Sequence, residues 1–126
     1  MLPKIVFLDR STVAVPVRPV ALPHLWQEYP ATTGEDETVA RLQEATVAIT
    51  NKVPLDATAI AALPELKMIA VSATGTNNVD LDACRGRGIV VSNIRGYAGH
   101  TVPEHVMALL LALSRSLVAW RETLLA

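Results

Sequence analysis

The sequence predicts an α/β fold, with a parallel sheet of about five strands and flanking helices, followed by a long apolar connecting helix. Three observations carry that prediction. Ile5 to Leu8, Ala45 to Thr50, Leu66 to Val71 and Ile89 to Val91 are short, nearly continuous apolar runs, as expected of buried strands. Helical stretches separate them, and that alternation implies a parallel sheet wound right-handedly. After the last run comes a segment, Val106 to Leu113, that is apolar almost all round.

Ile5 to Leu8 follows Lys4 and reads as the first buried strand, with Asp9 and Ser11 at its carboxyl end. Residues 13–23 carry three prolines, which exclude a helix interior and a central strand, so an extended surface segment is expected. Leu25 to Tyr29 then forms at most a short edge strand. Asp36 to Glu44 places Val39 and Leu42 on one face and charges elsewhere, the pattern of a short amphipathic helix. Ala45 to Thr50 is the next strand and Asn51-Lys52-Val53-Pro54 a turn. Asp56 caps a helix that Leu63-Pro64 ends. Leu66 to Val71 lies between Pro64 and Gly75, and Asp80 starts a short helix ended by Gly86 and Gly88. Five such strands fit a flavodoxin-like order. The loop from Ser92 to His100 is the expected boundary: residues 1–99 form the sheet domain and residues 100–126 the connecting helix.

That helix has a marked start. Thr101-Val102-Pro103-Glu104 has the T-x-x-E spacing of a capping box, and proline is tolerated in a first turn. The apolar side chains that follow need cover on several sides. Burying each contributes roughly 1.5–3 kcal/mol, so a second domain or a second copy of the chain is expected over residues 102–120.

Composition narrows the function. Eleven basic and twelve acidic residues leave no basic face for nucleic acid or anionic lipid. Aromatic residues make up only 4% of the chain, too few for base-stacking platforms. The single cysteine, Cys84, cannot form an internal disulfide and fits a reducing cytosol. The first residues lack the pattern of a signal peptide, and the densest apolar run is too short to span a bilayer. A soluble, cytoplasmic protein is expected, without membrane or nucleic-acid partners.

The chemistry concentrates at Ser72-Ala73-Thr74-Gly75-Thr76-Asn77-Asn78, a loop of small residues, hydroxyls and amides after a strand. Such a loop leaves backbone N–H groups open at the carboxyl end of a parallel strand, where α/β sheets bind ligands. The alternative is a plain strand-to-helix turn in which Gly75 relieves backbone strain.

The run SATGTNNVDLDACRGRGIVVSNIRGYAGHTVPEH resembles the substrate-domain signature of the NAD-dependent D-isomer-specific 2-hydroxyacid dehydrogenases. Within that family it is most similar to the glycerate dehydrogenase and hydroxypyruvate reductase branch, and Lys4 to Asp9 and Ile49 to Val53 extend the likeness over nearly the whole chain. The resemblance implies an oxidoreductase moving a hydride between NAD or NADP and a small 2-hydroxy or 2-keto acid. It implies that backbone amides of Ala73, Thr74, Gly75 and Thr76 hold the acid's carboxylate. Asn51 and Lys52 would face the same crevice, with Lys52 as a second anchor; otherwise Lys52 is a solvated lysine in a turn. Thr101 matches the position whose hydroxyl lies near the nicotinamide. Asn78 and Asn93 match recurrent polar positions or satisfy loop backbone.

No catalytic residue and no metal site is expected in this chain. The family's arginine, glutamate and histidine fall in later segments, so His100, His105 and Glu104 inherit no catalytic role. His100 and His105 do not share a helical face, and nothing completes a metal site around them. Cys84 reads as core. Gly86-Arg87-Gly88 has half of a dinucleotide fingerprint, but Val91 replaces the third glycine and a strand follows instead of preceding. The substrate domain is therefore expected to be incomplete, its NAD-binding partner domain absent, and the chain alone inactive. The alternative is a stand-alone module that binds small carboxylates or a partner protein and uses its last helix as a dimer or docking surface; a homodimer is expected.

Overall fold

The computed structural model describes residues 2–126. They form two compact units, the first ending at Arg95 and the second spanning Gly96–Ala126.

In the first unit, five parallel strands stand in the order β2-β1-β3-β4-β5: β1 Lys4–Phe7, β2 Leu25–Glu28, β3 Val47–Thr50, β4 Met68–Val71 and β5 Val90–Asn93. Helices α1 Glu35–Leu42, α2 Ala57–Ala61 and α3 Leu81–Gly86 fill the last three crossovers. The expected edge strand exists, as β2. The proline-bearing segment between β1 and β2 holds only one 3-10 turn, Arg10–Thr12.

Strand order explains where the core sits. From β2 onward every crossover steps the same way, past β1 to β3, then β4, then β5. Right-handed crossovers in one direction put α1, α2 and α3 on one face of the sheet. Val6, Leu8, Ala48, Ile69 and Val71 line that face and pack with Leu42, Ile60, Leu63 and Cys84. The step from β1 to β2 runs the opposite way, so its connection falls on the other face. There Val17, Arg18, Pro19 and Val20 enclose a cavity of about 290 Å³ with Trp26 and Glu28. Ile5 and Phe7 on that face are buried, and the Arg10 guanidinium lies 5.9 Å from the Phe7 ring centre. Farther along, Val47, Ile49, Met68 and Ala70 are half-buried and Val90 is 60% exposed. The expectation of strands covered on both faces is corrected here: β3 and β4 alternate buried and half-buried residues, because the three helices of this unit lie on one side of the sheet.

Local signals act as read at two helix starts. The Asp56 carboxylate accepts from Ala59 N (2.9 Å), and Asp80 accepts from Asp82 N (3.1 Å) and Ala83 N (2.9 Å). The helix α3 ends at Gly86, and Gly88, at φ +67°, makes the left-handed turn that follows. Ile89 precedes β5 instead of opening it.

The second unit corrects the expected single connecting helix. It holds α4 Thr101–Ser114 and α5 Leu117–Leu125, bent by 57° at Arg115–Ser116, where Ser116 adopts a left-handed φ of 51°. The capping box is also corrected. His100 is the N-cap residue, no side chain caps the helix, and Thr101 is its first residue. Among the described residues no single helix is long and apolar enough to cross a membrane; α4 and α5 reach that length and composition only as a bent pair. Their apolar residues are exposed, including Val106, Leu110, Leu113, Trp120 and Leu124.

Candidate functional site

In a sheet of order 2-1-3-4-5, ligands bind beyond the carboxyl ends of the strands, near the point where the order reverses. Here that point lies between β1 and β3, and β4 stands next to β3. Register places Thr50 beside Val71 and Val71 beside Asn93, so the loops after β3 and β4 leave the sheet side by side.

The loop after β3 carries Asn51 and Lys52. Two groups shape it. Thr50, wholly buried, accepts from Val53 N at 3.0 Å through its hydroxyl and donates to Val53 O at 3.3 Å. Asp9, only 3% exposed, accepts from Asn51 N at 2.9 and 3.1 Å and from Lys52 N at 2.7 Å. Asn51 Nδ2 reaches toward Thr12 O at 3.5 Å. The Lys52 side chain is exposed and takes part in none of the ion pairs among the described residues.

The loop after β4 is tied to its neighbours through carbonyls. Ser72 donates from its N (2.8 Å) and its hydroxyl (3.2 Å) to Thr50 O, which links the two loops. Ile94 N donates to Ala73 O at 3.0 Å and Asn93 Nδ2 to Thr74 O at 2.7 Å. Asn78 Nδ2 donates to Val53 O at 3.1 Å. Both Asn78 and Asn93 thus satisfy loop backbone. The N–H groups of Ala73, Thr74, Gly75 and Thr76 find no acceptor among the described residues, while Thr74 and Gly75 are exposed. Gly75 has no positive φ; a Cβ there would sit 3.1 Å from Asn77 Oδ1. Gly75 is therefore not held there by a left-handed backbone, and a Cβ would require only that the exposed Asn77 side chain give by a few tenths of an ångström.

The sequence thus brings Asn51 and Lys52 onto the loop beside Ala73 to Thr76. It missed Asp9 as a participant, although a carboxylate directly after an apolar strand was a visible signal. Thr101 lies in the second unit, in the first turn of α4, with its side chain exposed and its hydroxyl without a hydrogen bond among the described residues. Cys84 is buried in the core; burial pushes its thiol pKa up, Asp80 adds to the rise and Arg87 opposes it. Among the described residues no three His, Cys, Asp or Glu side chains gather in a group that could hold a metal ion.

The catalytic-domain profile of the D-isomer specific 2-hydroxyacid dehydrogenases matches residues 7–123. The chain belongs to that family. A glycerate dehydrogenase of Methylorubrum extorquens is 48% identical over 98% of this chain, which spans 39% of that relative's length. An acyclic imino acid reductase, solved in complex with NADPH and D-arginine, superimposes with TM-score 0.74 at 25% identity, covering 95% of this chain and 40% of the other. The 2-hydroxyacid dehydrogenase of Ketogulonicigenium vulgare Y25 does so with TM-score 0.72 at 25% identity, covering 96% and 39%. In this dehydrogenase-family chain the Gly86–Gly88 turn does not have the context of a dinucleotide fingerprint. The Gly86-Arg87-Gly88 turn leads from a helix into a strand, the reverse of the strand-to-helix turn that receives a pyrophosphate.

Proposed function

We propose that residues 1–99 form the substrate-holding domain of an NAD(P)-dependent oxidoreductase. It acts on the CH–OH group of small D-2-hydroxy acids of the glycerate, hydroxypyruvate or glyoxylate type. Residues 100–126 lead toward a nucleotide-binding part outside this chain, and Thr101 offers its hydroxyl on that side. The observation that carries this reading is the row of unclaimed N–H groups from Ala73 to Thr76, on the loop beside Lys52. A carboxylate accepts several N–H bonds at once, and a bond to a charged acceptor is worth about 1.5–3 kcal/mol. The Lys52 ammonium adds attraction from the neighbouring loop. Asn51 contributes its side-chain amide. The nicotinamide, when bound, supplies the hydride; the residues of this chain hold and orient the acid.

Because Arg, Glu and His of the catalytic set are not assigned to any residue here, the 126-residue chain is expected to bind a keto acid without reducing it. The exposed apolar residues of α4 and α5 are where a nucleotide-binding part or a second subunit of a homodimer would pack.

Titrating glyoxylate into ¹⁵N-labelled chain tests the reading. Saturable shifts at the amides of Ala73 to Thr76, weakened at least tenfold in affinity by Lys52→Gln, are expected. Shifts spread over other loops, or no saturable response, would reject it.

A further inference from the structure

Asp9 is a buried carboxylate with no cation among its partners. None of the ion pairs of the described residues includes it. Its oxygens are held by the backbone N–H groups of Asn51 and Lys52. An unpaired buried charge is costly, and a neutral serine or asparagine could hold a turn at lower cost. Two adjacent N–H groups converging on a carboxylate, at the reversal point of the strand order, are themselves an anion cradle. Asp9 fills the place that this architecture otherwise offers to a ligand.

We infer that Asp9 is a positioning and specificity-determining residue of the crevice: its carboxylate occupies the Asn51–Lys52 amide cradle, fixing that loop and leaving the Ala73–Thr76 amides as the one open carboxylate site. The inference rests on the proposed function for the role of the second site, but the occupied cradle is testable by itself. Two consequences follow from the geometry. The Lys52 backbone is pinned at its N–H, so its side chain departs from a fixed point on the crevice rim. A substrate carboxylate cannot settle between β1 and β3, because it would meet a like charge and find both donors taken. Binding is displaced by one strand, to the loop after β4.

The test is chemical rescue. Asp9→Ala removes the internal carboxylate and opens the cradle to formate. In the unaltered protein formate should leave the Asn51 and Lys52 amide resonances unmoved. In Asp9→Ala those two amides should move upfield, and formate should return them saturably and raise the melting temperature; chloride at equal ionic strength should do neither. Glyoxylate should then shift Asn51 and Lys52 as well as Ala73 to Thr76, giving two carboxylate sites in place of one. If Asp9→Ala does not fold, Asp9→Gly likewise leaves the cradle open, and the same formate titration applies. Failure of formate to act at Asn51 and Lys52 in either variant overturns the inference. Failure of glyoxylate at Ala73 to Thr76 while formate still rescues overturns only the proposed function.

Discussion

Thr50→Val isolates the bond that closes the loop after β3. Valine fills the volume of threonine, so no cavity forms, and only the hydroxyl is lost. Thr50 is fully buried and Val53 nearly so. Val53 O keeps a donor in Asn78 Nδ2 at 3.1 Å, but Val53 N loses its one acceptor, the Thr50 hydroxyl at 3.0 Å. A buried N–H left without a partner costs about 1–3 kcal/mol. Taking about 2 kcal/mol, the melting temperature of a domain this size falls by roughly 8–16 °C. Thr50→Ser keeps the bond and gives up a methyl group, a loss of about 1 kcal/mol. Urea titration of the three proteins, with amide exchange followed at Val53, checks the reasoning. Valine should be the worse substitution, and Val53 should exchange faster only there. A Thr50→Val protein within 0.5 kcal/mol of the parent, or less damaged than Thr50→Ser, would refute the account.

Arg87 forks onto the carbonyls of Ile60, Leu63 (3.0 Å) and Pro64 (3.4 Å), closing the end of α2, so Arg87→Met should lower stability by about 1–2 kcal/mol in urea. Arg87→Lys should recover little, since an ammonium cannot reproduce the fork. The Glu37 carboxyl is held below its usual range: the Thr33 N–H lowers it most, burial opposes that, and Arg41 and the Thr33 hydroxyl lower it further. Its contribution is therefore present above the unfolded pKa near 4.5 and is lost as pH falls through the lower folded value; Glu37→Gln should flatten that acid limb in melts between pH 2 and 5. Leu110 and Leu113 are exposed on α4, and the double change Leu110→Glu with Leu113→Glu should abolish self-association in sedimentation. A parent chain that stays monomeric at high micromolar concentration would contradict the need for cover there.

The fold was legible where local chemistry decides it. Apolar runs located β1, β3 and β4, three prolines ruled out a helix between β1 and β2, and Asp56 and Asp80 marked helix starts that their carboxylates do cap. The bend at Ser116 was not legible, because apolar spacing runs from Leu113 to Leu117 with only Ser114, Arg115 and Ser116 between, none a strong breaker. Thr101 fits the spacing of a cap, yet the helix begins one residue earlier than that role needs, a shift that sequence spacing cannot resolve. One-sided burial of β3 and β4 depends on the strand order, which must be known before the handedness of crossovers says where helices fall. At the site, the loop of small residues was visible as residues. The pairing of Asp9 with amides 42 and 43 positions away was not, since only the sheet brings those ends together.

The position of β1 has an entropic meaning. It is the one strand paired to both β2 and β3, while each later strand adds only to the strand made before it. Pairing β1 with β3 closes a loop of some forty residues, the largest in the sheet and the costliest in chain entropy, whereas β4 and β5 each close a shorter one. Asp9, which clasps β1 to the exit of β3, sits at the longest of those closures. The residue that clasps the two loops of the crevice thus also ties the two neighbouring strands that lie farthest apart in the sequence.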